Sequence, residues 1–131
     1  MDERPLRILL VDDEEAIVQA MTDYLETYEW VVDSAADFES ACRRLDANRY
    51  AVVIADLRLS PKEAIAGLDV IAHVRKTSPE TKTILLTAYG SPHVEEEARR
   101  LGVDAFLQKP KPLAELARTV FRVLGVEQLR E

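Results

Sequence analysis

Apolar residues return along this chain in two rhythms that take turns. Runs of five to seven mostly apolar residues stop at polar groups, and between them apolar side chains recur every three or four positions. The runs are Leu6–Val11, broken by Arg7, then Trp30–Ala35, interrupted by Asp33, then Tyr50–Asp56, Thr83–Thr87 and Asp104–Gln108. Five of the seven residues in Tyr50–Asp56 are Ala, Val or Ile, with no polar alternation. That composition suits a strand covered on both faces, in the middle of a parallel sheet.

The stretches between the runs read as helices. Ile17, Met21, Tyr24 and Tyr28 make the first inner stripe, and Asp12-Asp13-Glu14-Glu15 place negative charge at the positive end of that helix. Asp37 is placed to cap a second helix with Phe38, Ala41, Cys42 and Leu45 inward. Gly67 leads into a third, with Leu68, Ile71 and Val74 inward, which Ser78-Pro79 ends. Ser91-Pro92 starts a fourth, with Val94, Ala98 and Leu101 inward, and Gly102 closes it. Glu95 with Arg99 and Glu96 with Arg100 form i,i+4 pairs on its wet side. Leu113, Leu116, Val120 and Leu124 mark a fifth.

Strict alternation of strand and helix implies a parallel sheet with helices on both faces and right-handed crossovers. The first, third and fourth strands are the most apolar, which favours the order 2-1-3-4-5. The expectation is an α/β, flavodoxin-like (βα)5 three-layer sandwich.

Composition narrows the setting. The 131 residues are enough for one domain with a core. A net charge of −7 argues against direct nucleic-acid binding by this segment. The single cysteine, Cys42, excludes an intrachain disulfide and fits a reducing, cytoplasmic setting. Met1–Pro5 is acidic and unlike a signal peptide, and no run approaches a membrane span.

In a parallel sheet all carboxyl ends share one edge. Asp12 and Asp13 follow the first strand, Asp56 the third, Thr87 ends the fourth and Lys109 follows the fifth. Three carboxylates gathered there repel one another, and a hard divalent cation such as Mg²⁺ relieves the cost. Lys109 adds a point charge and Thr87 a hydroxyl. Metal, ammonium and hydroxyl together suit the oxygens of a phosphoryl group, with Asp56 as nucleophile.

Four segments carry a resemblance to the receiver domains of bacterial two-component response regulators: Leu9–Glu14, Val53–Leu57, Leu86–Gly90 and Phe106–Pro110. It spans residues 6–124 and leaves 125–131 as a tail or the start of a linker. The resemblance implies that Asp56 accepts a phosphoryl group from the phosphohistidine of a sensor histidine kinase or phosphotransfer protein. It implies Mg²⁺ bound by Asp13, Asp56 and the backbone carbonyl of Arg58, with Asp12 helping through water. Thr87 and Lys109 would hold the phosphoryl oxygens, and Phe106 would be the switch aromatic that turns inward as Thr87 moves. The surface around the fourth helix, fifth strand and fifth helix would change to control an output domain or partner, and that face would suit a homodimer. The protein would catalyse only its own phosphorylation and dephosphorylation, and the Lys109–Pro110 bond would be cis.

Three departures from the family pattern stand out. The loop after Asp56 is about three residues longer than usual, with Pro61 five residues beyond Asp56, and Ser60 and Lys62 would alter kinase access. Phe38 replaces a usual Gly, and Lys111 a common Phe. Arg58 and Tyr89, each two residues beyond a site residue, border the path of an attacking water and would slow hydrolysis. His73 is expected to be solvated, His93 to have no ligand role, Cys42 to be core and Trp30 to pack at a strand start, while Phe121, partly off its inner stripe, is a candidate for a dimer surface. The rival readings are a pseudo-receiver acting as a phosphorylation-independent interaction module, a haloacid-dehalogenase-like phosphatase and a flavin carrier. The phosphatase would place Asp-x-Asp after the first strand, and the acidic Asp12–Glu15 would repel a flavin's phosphate.

Overall fold

In the computed structural model, which describes residues 5–59 and 65–125, the apolar runs are strands and the striped stretches are helices. The order is β1 (Arg7–Val11), α1 (Glu15–Glu26), β2 (Val31–Ala35), α2 (Phe38–Ala47), β3 (Val52–Ala55), α3 (Ala66–Thr77), β4 (Lys82–Thr87), α4 (Pro92–Arg100), β5 (Ala105–Gln108) and α5 (Leu113–Val123). All four strand pairings are parallel and the sheet order is β2-β1-β3-β4-β5. This is the expected three-layer α/β architecture.

The core is split by the sheet. One face carries Leu9, Val11, Val53, Ala55 and Leu85 against α2, α3 and α4, through Ala41, Val70, Ile71, Val74 and Ala98. The other carries Ile8, Leu10, Val52, Ile54, Ile84 and Leu86 against α1 and α5, through Met21, Leu25, Leu116, Ala117 and Val120. Residues i and i+1 of a strand point to opposite faces, so an unbroken apolar run feeds both halves at once. Each Val, Leu, Ile or Met side chain among these contributes about 1.5–3 kcal/mol on removal from water.

Local signals act where they were expected. The Asp37 carboxylate accepts from the Ser40 N–H at 2.8 Å, and the Ser40 hydroxyl accepts from the Asp37 N–H, a reciprocal cap. Ser91 accepts from the Val94 N–H, and Pro92 takes the first helical position. Glu95–Arg99 and Glu96–Arg100 pair at 2.6 and 3.6 Å. Gly102 has φ +93°, a conformation that side chains resist.

Some readings shift. Tyr28 lies past the end of α1, and Leu25 and Val70, off the expected stripes, are fully buried. Asp33 does not simply break its strand. Its carboxylate accepts from the Tyr50 hydroxyl at 2.6 Å and from Arg7 at 3.0 Å, tying β2 to β1 and to the approach to β3. His73 is not solvated. It is half-buried between α2 and α3, its ring edge-on to Phe38 and its Nε2 3.9 Å from Asp46 Oδ1. Cys42, on α2, is only half-buried rather than in the core, and burial pushes its thiol up. Trp30 packs as expected, stacked on Tyr28 and tilted against Phe121. The Phe121 ring is thus engaged within the chain. The expected departures at Ser60, Pro61 and Lys62 lie outside the described residues.

Candidate functional site

Asp12, Asp56 and Lys109 each sit one residue beyond a strand, on a backbone still in the ladder. The Asp12 N–H donates to Ala35, the Asp56 N–H to Val11 and the Lys109 N–H to Thr87, at 2.9–3.0 Å. The parallel ladder therefore runs one step past β1, β3 and β5 and sets these side chains on rigid supports. Asp12 is 5% exposed and Asp56 7%, and Thr87 is fully buried.

Lys109 joins two of the acids. Its Nζ donates to Asp12 Oδ2 and to Asp56 Oδ2, both at 3.0 Å. Burial works against the ammonium, but hydrogen bonds and charge from Asp12 and Asp56 outweigh it and hold Lys109 above the usual lysine range. The other Asp12 oxygen accepts from the Glu14 N–H at 3.0 Å, so both oxygens of Asp12 are engaged. Asp56 differs. Its Oδ1 is buried and has no hydrogen-bond partner.

Asp56 lines an open cavity of about 250 Å³ together with Asp13, Glu14, Arg58, Ala88, Tyr89 and Lys109. Asp13 is exposed on its rim. Among the described residues, no three acidic, histidine or cysteine side chains gather closely enough to chelate an ion by themselves. A lone buried carboxylate oxygen, a second carboxylate on the rim and room for several waters suit Mg²⁺, which keeps much of its hydration shell.

The remaining predicted residues lie around this edge. The Thr87 hydroxyl accepts from the Tyr89 N–H at 3.0 Å. The Arg58 guanidinium lies 4.8 Å from the centroid of the Tyr89 ring, so the two rim residues stack as a cation–π pair. Phe106 is half-buried on β5, packed against the α2–α3–α4 half of the core. The Lys109–Pro110 peptide is cis, as expected. Glu14, part of the acidic run and of the first family segment but given no role at the site, lines the cavity. Its place beside the Asp12-Asp13 pair was the available signal.

Residues 8–121 match the family of response regulator receiver domains. The chain belongs to that family. This receiver domain is 32% identical over 120 residues to the transcriptional regulatory protein CutR of Streptomyces coelicolor, covering 92% of the chain and 54% of CutR. It thus spans about half that relative's length. A response regulator from Burkholderia pseudomallei, solved with a phosphorylated aspartic acid, a calcium ion and citrate, shares its fold. The TM-score is 0.82 at 23% identity, over 92% of this chain and 69% of that one. The beryllofluoride-activated receiver domain dimer of NtrC4 matches with a TM-score of 0.82 at 26% identity, over 91% of this chain and 96% of that one. Receiver domains are the signalling modules of two-component systems, and Mg²⁺ binding is general in the family. Among the described residues no helix is long and apolar enough to cross a membrane.

Proposed function

We propose that this receiver is a phosphorylation-dependent switch in which Asp56 accepts a phosphoryl group from the phosphohistidine of a sensor kinase or phosphotransfer protein. The observation that carries the reading is the inequivalence of the two Asp56 oxygens. One is held by Lys109, and the other is buried and without a hydrogen-bond partner, on a residue that lines the cavity.

An Asp56 oxygen attacks phosphorus, the phosphorus–nitrogen bond breaks and the imidazole leaves. Asp13, Asp56 and the Arg58 carbonyl would hold Mg²⁺, with Asp12 acting through water. The ion would neutralise charge gathering on the transferring oxygens. Lys109 is already placed beside the acceptor to pair with the new charge of about −1.5 to −2. The Thr87 hydroxyl, an acceptor in its present bond, keeps a proton to donate to a phosphoryl oxygen. Its movement frees room at the end of β4. Phe106, on the neighbouring strand, turns into that room and reshapes the α4-β5-α5 face for an output domain, a partner or a second copy. Hydrolysis by water at phosphorus resets Asp56, so the only chemistry is on the domain itself. We assign residues 6–124 to this unit and 125–131 to a tail or linker.

Addition of Mg²⁺ and beryllofluoride tests the reading. Amide resonances of Thr87, Phe106 and the α4-β5-α5 face should shift together in the wild type and stay still in Asp56→Asn. A wild-type spectrum unchanged by both additions would instead make the chain a pseudo-receiver.

A further inference from the structure

The peptide that follows Asp56 lies against a helix start with no space for a side chain. An added Cβ at Gly67 would stand 2.1 Å from the Asp56 carbonyl oxygen, 2.8 Å from its carbon and 2.7 Å from Leu57 Cα. These are backbone atoms, which cannot swing aside. The Gly67 N–H also donates to the Leu57 carbonyl at 2.8 Å. Leu57 and Leu59 are 3% and 1% exposed, so the residues on both sides of Arg58 are anchored in the core. The first turn of α3 is seated as firmly, through buried Ala66, Leu68, Val70 and Ile71.

We propose that Gly67 is a positioning residue for the ion-binding edge: its bare backbone lets α3 clamp the Asp56–Leu57 peptide, which sets the Asp56 carboxylate and the Arg58 carbonyl at one spacing. The inference rests on the reading that these two groups hold Mg²⁺. A methyl group at position 67 forces the clamp apart by about 1 Å, and disturbing the groups that orient metal ligands costs about 10- to 100-fold in metal affinity. The segment after Asp56 is the part that yields, because β3 has ended at Ala55, whereas α3 is held by a row of buried side chains.

Calorimetric titration of the whole chain with MgCl₂ tests this, with circular dichroism to establish folding. Gly67→Ala should weaken Mg²⁺ binding by at least about 10-fold while remaining folded. Ala72→Gly, which loosens the middle of α3 away from Asp56, should leave the affinity unchanged. Unaltered affinity in folded Gly67→Ala, or an equal loss in Ala72→Gly, would overturn the proposal. If Gly67→Ala does not fold, Leu57→Ala decides, because it releases the same peptide from the core side. Weakened binding supports the clamp and wild-type binding overturns it. A wild-type chain that binds no Mg²⁺ would remove the functional reading and this inference with it.

Discussion

Replacing Lys109 by Met keeps most of the side-chain stem and deletes the charge that joins Asp12 to Asp56. Both carboxylate oxygens lie 3.0 Å from the same ammonium, so they stand within about 6 Å of each other, close enough to repel strongly once it is gone. Breaking a closed buried pair costs about 3–5 kcal/mol. This pair borders an open cavity, where water and counter-ions screen part of that cost, so about 2 kcal/mol is expected. For a domain of this size that lowers the melting temperature by about 6–10 °C. The assay is thermal denaturation followed by circular dichroism, with and without Mg²⁺. Saturating Mg²⁺ should recover more than half of the loss, because it brings positive charge back beside the same two carboxylates. Adding Asp12→Asn to the variant should also raise its melting temperature, by removing one of the repelling groups. Lys109 is held above its ordinary value of 10.5. Its contribution is therefore complete below that pH and is lost as the pH rises through the folded-state value. The gap between wild type and variant should be constant from neutral pH to about pH 9 and close in stronger alkali. A Lys109→Met chain that melts within about 2 °C of wild type in the absence of ions would refute the electrostatic reasoning.

The Asp33 carboxyl is pushed up by burial, but hydrogen bonds from Tyr50 and Arg7 outweigh this and hold it below its ordinary 3.8. Asp33→Asn should therefore cost about 1–2 kcal/mol at neutral pH in urea titrations. That deficit should narrow as the pH falls below 3.8, and a deficit independent of pH would contradict the assignment. Arg58 stacks on Tyr89, and both line the cavity beside Asp56. Phosphate should be lost faster from phosphorylated Arg58→Asn, Tyr89→Glu than from wild type, and equal rates would show that the stack excludes no water.

The layout was legible in sequence because a doubly covered parallel sheet leaves unbroken apolar runs. Tyr50–Asp56 could be placed at the centre from its composition, and Asp12, Asp13, Asp56, Thr87 and Lys109, at the strand ends, then had to share one edge. Long-range pairings were not legible. Arg7 and Asp33 each looked like a flaw in a strand, yet they bond one another across parallel neighbours. Tyr50 read as part of an apolar run and spends its hydroxyl on Asp33. His73 fell outside the stripe of α3, but α2 covers it from the side, a contact no helical period contains. The bridging of two acids by Lys109 depends on strand ends 97 and 53 residues apart in sequence. The close approach at Gly67 belongs to two backbones meeting, which the sequence around a helix start does not reveal.

Intact-mass spectrometry after incubation with acetyl phosphate is the most direct test of whether Asp56 carries phosphate. The wild type with Mg²⁺ should gain the mass of one phosphoryl group, and Asp56→Asn, or the wild type with the ion chelated, should gain none. A wild-type chain that stays unmodified, or an Asp56→Asn chain that gains the same mass, would contradict the account.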